Sequence, residues 1–307
     1  SDVCSSDLLP RWAKGLDRPT VTSDLAAGVT VGALLVPQAM AYAQLAGLPP
    51  EVGLYSAALP VIVYALFGTS RQLAVGPVAI VSLLTASALA PIAEEGSADY
   101  VAAAGLLALL VGLAHLVFGV GRLGGLVSLL SHSVLVGFTA AAAIIIGFSQ
   151  AKHLLGVSIP RQDSFLETVA EVVRTADETH GTTLLVGLLA LAVLFGLKAL
   201  APRVPAALVV VLGSIAAVQL FDLDDRGVKV VGDIPDVLVD FGMPSLDGSL
   251  VGDLIVTALV ITLVGFMESI AVAKVYARRH HYELDPNREL VSLGAANVAS
   301  GFVGGFP

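Results

Sequence analysis

The chain holds a single cysteine, Cys4, so neither an internal disulfide framework nor a cysteine-clustered zinc site can be built from it. Charge is scarce: 13% of the 307 residues are Asp, Glu, Lys or Arg, about half the roughly 25% of soluble domains. A soluble chain of this length needs more charge to cover its surface. Basic residues are outnumbered, 16 against 25, and the net charge of −9 excludes the basic face of a typical nucleic-acid binder. There is no H-E-x-x-H, no G-x-S-x-G and no P-loop, so no enzyme, metal or cofactor is expected. Gly119-Val-Gly-Arg-Leu-Gly124 fits G-x-G-x-x-G, but it comes after an apolar helical run instead of a strand and opens no βαβ unit. Ser1–Thr20 has no apolar core of signal-peptide length. Residues 1–21 read as a cytoplasmic N-terminal segment, whose start, Ser1 to Leu8, looks foreign to the rest of the chain.

In abundance, by contrast, is apolar length. Hydrophobic residues make up 56%, with 31 glycines and a mean hydropathy of +0.88. A bilayer core about 30 Å thick takes roughly 20 apolar residues in a helix. The candidate spans are Leu25–Ala46, Val52–Phe67, Leu73–Ile92, Tyr100–Val120, Leu126–Phe148, Thr182–Leu197, Val204–Phe221, Leu254–Ala273 and Leu290–Val303. Nine such runs predict an all-α polytopic membrane protein whose partner is the lipid bilayer. With the N-terminus inside, alternate loops place 11 of the 16 basic residues on the inner side and 5 outside, which predicts a cytoplasmic N-terminus. A bacterial plasma membrane is the expected location.

Between spans five and six, Phe165, Leu166, Val169, Val172 and Val173 recur at helical spacing within Asp163–Glu178, predicting an amphipathic surface helix. Gly28-Val-Thr-Val-Gly32 offers a small-residue face for close helix packing. Asp222-Leu-Asp-Asp225 reads as a solvated outer loop, His115 as hydrogen-bonded packing in the fourth span, and His280-His281 as a solvated basic cluster.

The third run opens Arg71-Gln-Leu-Ala-Val-Gly-Pro77. Proline disfavours helical geometry at the residue before it and suits the first turn of a new helix. Gln72–Val75 is therefore predicted as extended chain, covering about 13 Å. The helix from Pro77 to Pro91 adds about 22 Å, which places Pro77 near the midplane. A helix N-terminus at that depth presents unpaired N–H groups and partial positive charge, suited to an anion. Broken helices of this kind mark substrate sites in secondary transporters, although a proline kink in a packed helix fits the same residues. In the first span, Gln38 and Tyr42 stand one turn apart on one face, able to donate to an anion or to join helices. Glu268 is the one acid inside an apolar run, six residues before Lys274. An ionised acid there is costly, so it marks either a function or a pairing with a basic residue near the cytoplasmic end.

At these residues the chain resembles the SulP family of sulfate permeases and related anion transporters, from about Thr22 to Pro307. The resemblance is carried by Leu35-Val-Pro-Gln-Ala-Met-Ala-Tyr-Ala43, Gly47-Leu-Pro-Pro-Glu-Val-Gly-Leu-Tyr-Ser56 with Gly68-Thr-Ser-Arg71, Val75-Gly-Pro-Val-Ala79, Gly265-Phe-Met-Glu-Ser-Ile-Ala-Val-Ala-Lys274 and Asn297–Pro307. Val52 departs from the commonest residue at its place. The resemblance implies a 7+7 inverted-repeat transporter with core and gate domains. Spans one to seven would form the first repeat over residues 22–248, and spans eight and nine would start the second over 249–307. Spans one to four and eight onward belong to the core, five to seven to the gate. The remaining helices and a STAS domain would then be missing from the chain. It further implies secondary transport of an inorganic anion, with sulfate foremost and bicarbonate or a dicarboxylate as alternatives. Proton symport, anion exchange or passive conduction would serve, in a homodimer. Substrate-binding residues carried over are Gln38, Tyr42, Gly76, Pro77, Val78 and Ala79, with Glu268 as the proton-coupling residue.

Overall fold

A computed structural model describes residues 18–70, 72–125, 132–159, 164–201, 204–230 and 248–307. The atypical start, Arg71, Asp163 and residues 126–131 at the head of the fifth run lie outside them. Among the described residues there is no strand. The helices are α1 (Arg18–Leu45), α2 (Pro50–Phe67), α3 (Ala79–Leu89), α4 (Ala98–Val120), α5 (His132–Ser149), α6 (Ala151–Leu155), α7 (Phe165–Arg174), α8 (Gly181–Leu200), α9 (Ala206–Phe221), α10 (Gly248–His280) and α11 (Pro286–Phe302). Each of the nine apolar runs overlaps one helix. The eighth and ninth runs fall on α10 and α11. Five helices, α1, α2, α4, α8 and α10, are long and apolar enough to cross a membrane; α3 and α9 are shorter apolar helices.

The chain divides into two compact units, residues 1–130 with 235–307, and residues 131–234. The first thus collects spans one to four, eight and nine, and the second spans five to seven.

In the first unit α11 packs against α4 and α2, α1 against α2 and α3, and α10 against α3 and α4. Two apolar clusters hold it together. One joins Ala43, Leu48, Val52, Leu89, Tyr100, Leu107, Leu254, Ile261 and Phe306. The other joins Tyr64, Phe266, Ile270, Leu290, Leu293 and Ala296. Tyr100 is fully buried and its hydroxyl donates to the Ala46 carbonyl at 2.8 Å, closing the α1–α2 turn onto α4.

Two local expectations are corrected. First, Gly28 and Gly32 do not mediate close packing among the described residues: a Cβ built on either meets nothing there within 4 Å. The close approach lies between α4 and α11. A Cβ on Gly112 would stand 2.6 Å from the Val298 nitrogen, and one on Gly119 3.0 Å from the Asn287 carbonyl. A Cβ on Gly294 would stand 2.9 Å from the Gly112 carbonyl. Gly112 and Gly119, like Gly294 and Gly301, are seven residues apart, so each pair stays on one face over two turns. The G-x-G-x-x-G run serves the same contact, because Gly119 and Gly124 both abut Asn287. Gly294→Leu must push backbone, not a flexible side-chain end, and is expected to cost about 1–3 kcal/mol or more. Thermal unfolding in detergent reads this as a lower midpoint, with Gly28→Leu as the neutral control. Equal midpoints for the two would contradict the packing.

Second, α3 does not start at Pro77. It starts at Ala79, with Val78 as an extended N-cap at φ −127° and ψ 148°. Residues 73–78 carry no regular structure. Proline therefore acts one step earlier than predicted, fixing extended chain ahead of the cap. The helix is 11 residues long, about 16 Å, and the extended approach is correspondingly longer.

In the second unit α8 packs against α9 and α6, and α5 against α6 and α7. The amphipathic helix forms over Phe165–Arg174, capped by Ser164 Oγ accepting from the Glu167 amide, and a 3₁₀ turn comes next at Ala176–Glu178. Phe165 meets Phe148 edge-on with ring centroids 5.3 Å apart. Asp222, Asp224 and Asp225 are exposed in the loop after α9.

Candidate anion site

The approach to α3 is held from α11 and the turn before it. Asp285 caps α11, its Oδ1 accepting from the Asn287 amide at 2.9 Å and the Arg288 amide at 3.3 Å. Within the first turn of α11, Glu289 is 1% exposed. Its Oε1 accepts from the amides of Thr69 at 2.7 Å and Ser70 at 2.9 Å, and from the Thr69 hydroxyl. Its Oε2 accepts from the Tyr64 hydroxyl at 2.6 Å. A buried carboxylate is tolerable only with such donors, and here they come from α2 and the turn after it. Tyr282 adds a second tie, donating to Gln72 Oε1 at 2.8 Å. The end of α2 is thereby fixed to α11, and the start of the extended segment to the turn that precedes α11.

Glu289 was not legible as a site residue, because an acid in the first turn of a helix already satisfies the macrodipole preference. Glu289→Gln puts an amide NH₂ among donors. Charged hydrogen bonds contribute about 1.5–3 kcal/mol each, so a stability loss of about 3 kcal/mol or more is expected in thermal unfolding. A variant as stable as the parent would show that the carboxylate does not anchor this turn.

Beyond the anchor the extended segment forms one wall of a cavity of about 70 Å³. That is several times the roughly 10–15 Å³ one water needs by the same measure. Val75, Gly76, Pro77 and Val78 line it, facing His115 of α4, Gly265 and Ser269 of α10, Asn297 and Ser300 of α11, and Phe306-Pro307. Phe306 is held by serines: Ser56 Oγ accepts from its amide at 2.8 Å, and Ser300 Oγ donates to its carbonyl at 2.8 Å. Gly76 lets α1 approach, since a Cβ there would stand 3.2 Å from Leu35 Cδ1. Val78 provides no side-chain acceptor to cap α3. The first amides of that helix are thus left for a ligand or solvent.

The sequence-predicted residues fall into two groups. Gly76, Pro77 and Val78 line the cavity. Gln38, Tyr42, Ala79 and Glu268 do not. Gln38 Nε2 and the Tyr42 hydroxyl face each other at 3.5 Å, the outer limit of a hydrogen bond, with Gln38 exposed. Tyr42 and Val78 pack against the same apolar cluster. Ala79 opens α3 itself. Glu268 is half-buried between Gly265 and Ser269 in chain order, and its Oε2 is buried with no hydrogen-bond partner. The helix carrying it continues past Lys274 to His280, so Glu268 lies 12 residues, about 18 Å, from that end. Ser56, His115, Ser269, Asn297 and Ser300 were missed as lining residues: all but His115 stand in segments that carry the family resemblance, but nothing in the sequence turns them toward one cavity.

An all-helical bundle with an uncapped helix start beside a largely apolar internal cavity that holds a few polar side chains is an arrangement suited to a membrane protein. The sequence pattern of the sulfate permease family matches residues 21–307, and the chain belongs to that family. It is 44% identical over 294 residues to the chloroplastic sulfate transporter 4.1 of Arabidopsis thaliana, covering 92% of this chain and 42% of that protein. It is 39% identical over 302 residues to a probable sulfate transporter of Mycobacterium tuberculosis, covering 96% and 54%. The chain thus spans about half the length of these relatives. Among solved structures it resembles SLC26A9, with a TM-score of 0.87 at 26% identity over 97% of this chain and 51% of that one. It also resembles the transmembrane domain of the cyanobacterial bicarbonate transporter BicA, at 0.82, 23% identity, 95% and 74%. These neighbours match the inverted-repeat transporter fold. The chain is an integral membrane protein.

Proposed function

We propose that this chain carries the anion-binding part of a secondary active transporter, with sulfate as the first substrate. The observation that supports it best is the cavity at the uncapped start of α3 in a member of the sulfate permease family. An oxyanion there accepts from the first amides of α3, where the helix dipole favours negative charge. Ser269 and the second amide hydrogen of Asn297 supply further donors, the hydroxyls of Ser56 and Ser300 being engaged by backbone carbonyls. Gln38 and Tyr42, on the neighbouring α1, form the flank through which the anion arrives. Such a site selects charge and size, so bicarbonate is the natural competitor.

In this reading the unit carrying the cavity moves as one body against the other, exposing the anion to either side in turn. Residues 22–248 are the first repeat and 249–307 open the second, in a homodimer. The N-terminus is cytoplasmic, on the strength of the basic-residue bias, in a bacterial plasma membrane. A proton carried on Glu268 drives accumulation.

Labelled-sulfate uptake into proteoliposomes holding the full-length protein tests the reading. Uptake should saturate, be inhibited by excess unlabelled sulfate and be driven by an inward proton gradient. Sulfate flux that rises without saturation would instead indicate a passive channel, and no flux of any inorganic anion would contradict the proposal.

A further inference from the structure

His115 is 2% exposed in the C-terminal half of α4. Its Nδ1 lies 3.0 Å from the Val111 carbonyl of its own helix. A carbonyl can only accept, so this geometry assigns the hydrogen to Nδ1. The other nitrogen, Nε2, is buried with no hydrogen-bond partner. Leaving a buried polar atom unsatisfied costs about 1–3 kcal/mol, and such an atom calls for an explanation. Packing alone does not supply one, since an apolar side chain of the same shape would avoid the cost.

The cavity supplies it. His115 lines the space that Gly76, Pro77 and Val78 line from the opposite element, and it is the one titratable residue among those lining it. The rest of the polar lining is Ser56, Ser269, Asn297 and Ser300 with backbone. No described side chain in that wall carries a fixed positive charge, so an anion entering it meets dipoles alone.

Resting on the anion-binding reading above, we infer that His115 is a substrate-contacting residue whose protonated Nε2–H donates to a small oxyanion held at the start of α3. No bond is made or broken beyond the proton: it arrives from water with the anion and leaves with it. The neutral ring, with a lone pair on Nε2, repels the oxyanion and favours its release.

The charged and titratable groups on the elements around α4 do not substitute for it. Helix α3 has none. On α10, Thr262 is the close neighbour: its backbone lies near the His115 ring without meeting hydrogen-bond geometry at Nε2, and its Oγ1 is 3.4 Å from the Val111 carbonyl. Glu268 lies six residues further on and outside the cavity wall, Asp253 is exposed near the start of the helix, and Lys274, Tyr276, Arg278, Arg279 and His280 lie towards its end. On α11, Arg288 is exposed and Glu289 is engaged by Tyr64, Thr69 and Ser70. On α4 itself Asp99 and Tyr100 stand about four turns away at the N-terminal end, with Tyr100 bonded to Ala46.

The test is sulfate affinity of the full-length protein in nanodiscs at pH 5.5 and 7.5, for the parent, His115→Gln and His115→Leu. Glutamine keeps a hydrogen-bond donor but cannot gain charge. Leucine removes both. The parent should bind at least fivefold more tightly at the lower pH. His115→Gln should show a pH dependence at least threefold smaller than the parent's, the remainder belonging to Glu268, and His115→Leu should be weakened at least tenfold at pH 5.5. Parent-like affinity and pH dependence in both variants would overturn the role of His115 while leaving the anion site standing. A parent that binds neither sulfate nor bicarbonate would contradict the functional reading and the inference together. Should the variants not fold, ¹⁵N-histidine NMR of the parent decides: one ring must move to the imidazolium range on adding sulfate, and no response from any histidine overturns the inference.

Discussion

Replacing Val78 by tryptophan is expected to abolish sulfate binding and transport while leaving the protein folded. Val78 is half-buried, caps α3 and lines the cavity. An indole grafted there fills a space of about 70 Å³ and lies across the first amides of the helix. The backbone tolerates the change, because extended geometry at φ −127° and ψ 148° suits an aromatic residue as well as valine. The dissociation constant should rise more than tenfold, which is about 1.4 kcal/mol, and uptake should fall below a tenth of the parent's. Calorimetric titration with sulfate reads the first, and labelled uptake the second. A well-folded Val78→Trp protein that binds sulfate as tightly as the parent would remove the anion from this cavity.

The second large effect belongs to Glu268. Its half-buried carboxylate has one oxygen, Oε2, without a hydrogen-bond partner, which fits poorly with a carboxylate kept only to hold helices together by an ion pair. Charge on this group and charge on a bound anion repel, so a proton on Glu268 and an anion in the site stabilise each other. The coupling free energy is the same in both directions, typically about 1–3 kcal/mol. The sign is definite: lower pH protonates the acid and strengthens anion binding, and higher pH weakens it. Glu268→Gln mimics the protonated acid. It should bind sulfate at pH 7.5 at least as tightly as the parent, yet lose accumulation driven by a proton gradient. A structural ion pair would instead show as a lower unfolding midpoint. Uphill uptake on a proton gradient alone by Glu268→Gln would exclude this carboxylate as the coupling group.

The boundary between legible and hidden features is a physical one. The helices were legible because bilayer thickness imposes length and apolarity locally: each apolar run overlaps a helix, and five of these are long and apolar enough to cross a membrane. The break before α3 was legible because Gly76-Pro77 acts through its immediate neighbours. Its position slipped by two residues, since the N-cap is decided by where the chain is pinned, and Glu289 does that pinning from 220 residues away. The packing glycines were misplaced for a similar reason. Gly28 and Gly32 have the right spacing, but only a facing helix gives spacing a meaning, and that helix lies opposite Gly112 and Gly119. His115 was read as satisfied packing, and half of that holds: Nδ1 is bonded to Val111 and Nε2 to nothing. Whether a lone polar residue on an apolar helix faces a neighbour or a cavity depends on contacts distant in sequence.

The most direct measurement is the position of the anion itself. Selenate has the shape and charge of sulfate, and its selenium is visible by anomalous scattering. In crystals of the full-length protein grown with selenate, a selenium peak is predicted in the cavity walled by Gly76, Pro77, Val78 and His115, within hydrogen-bond distance of the first amides of α3. A peak elsewhere in the protein, with this cavity empty at a selenate concentration that saturates uptake, would contradict the account.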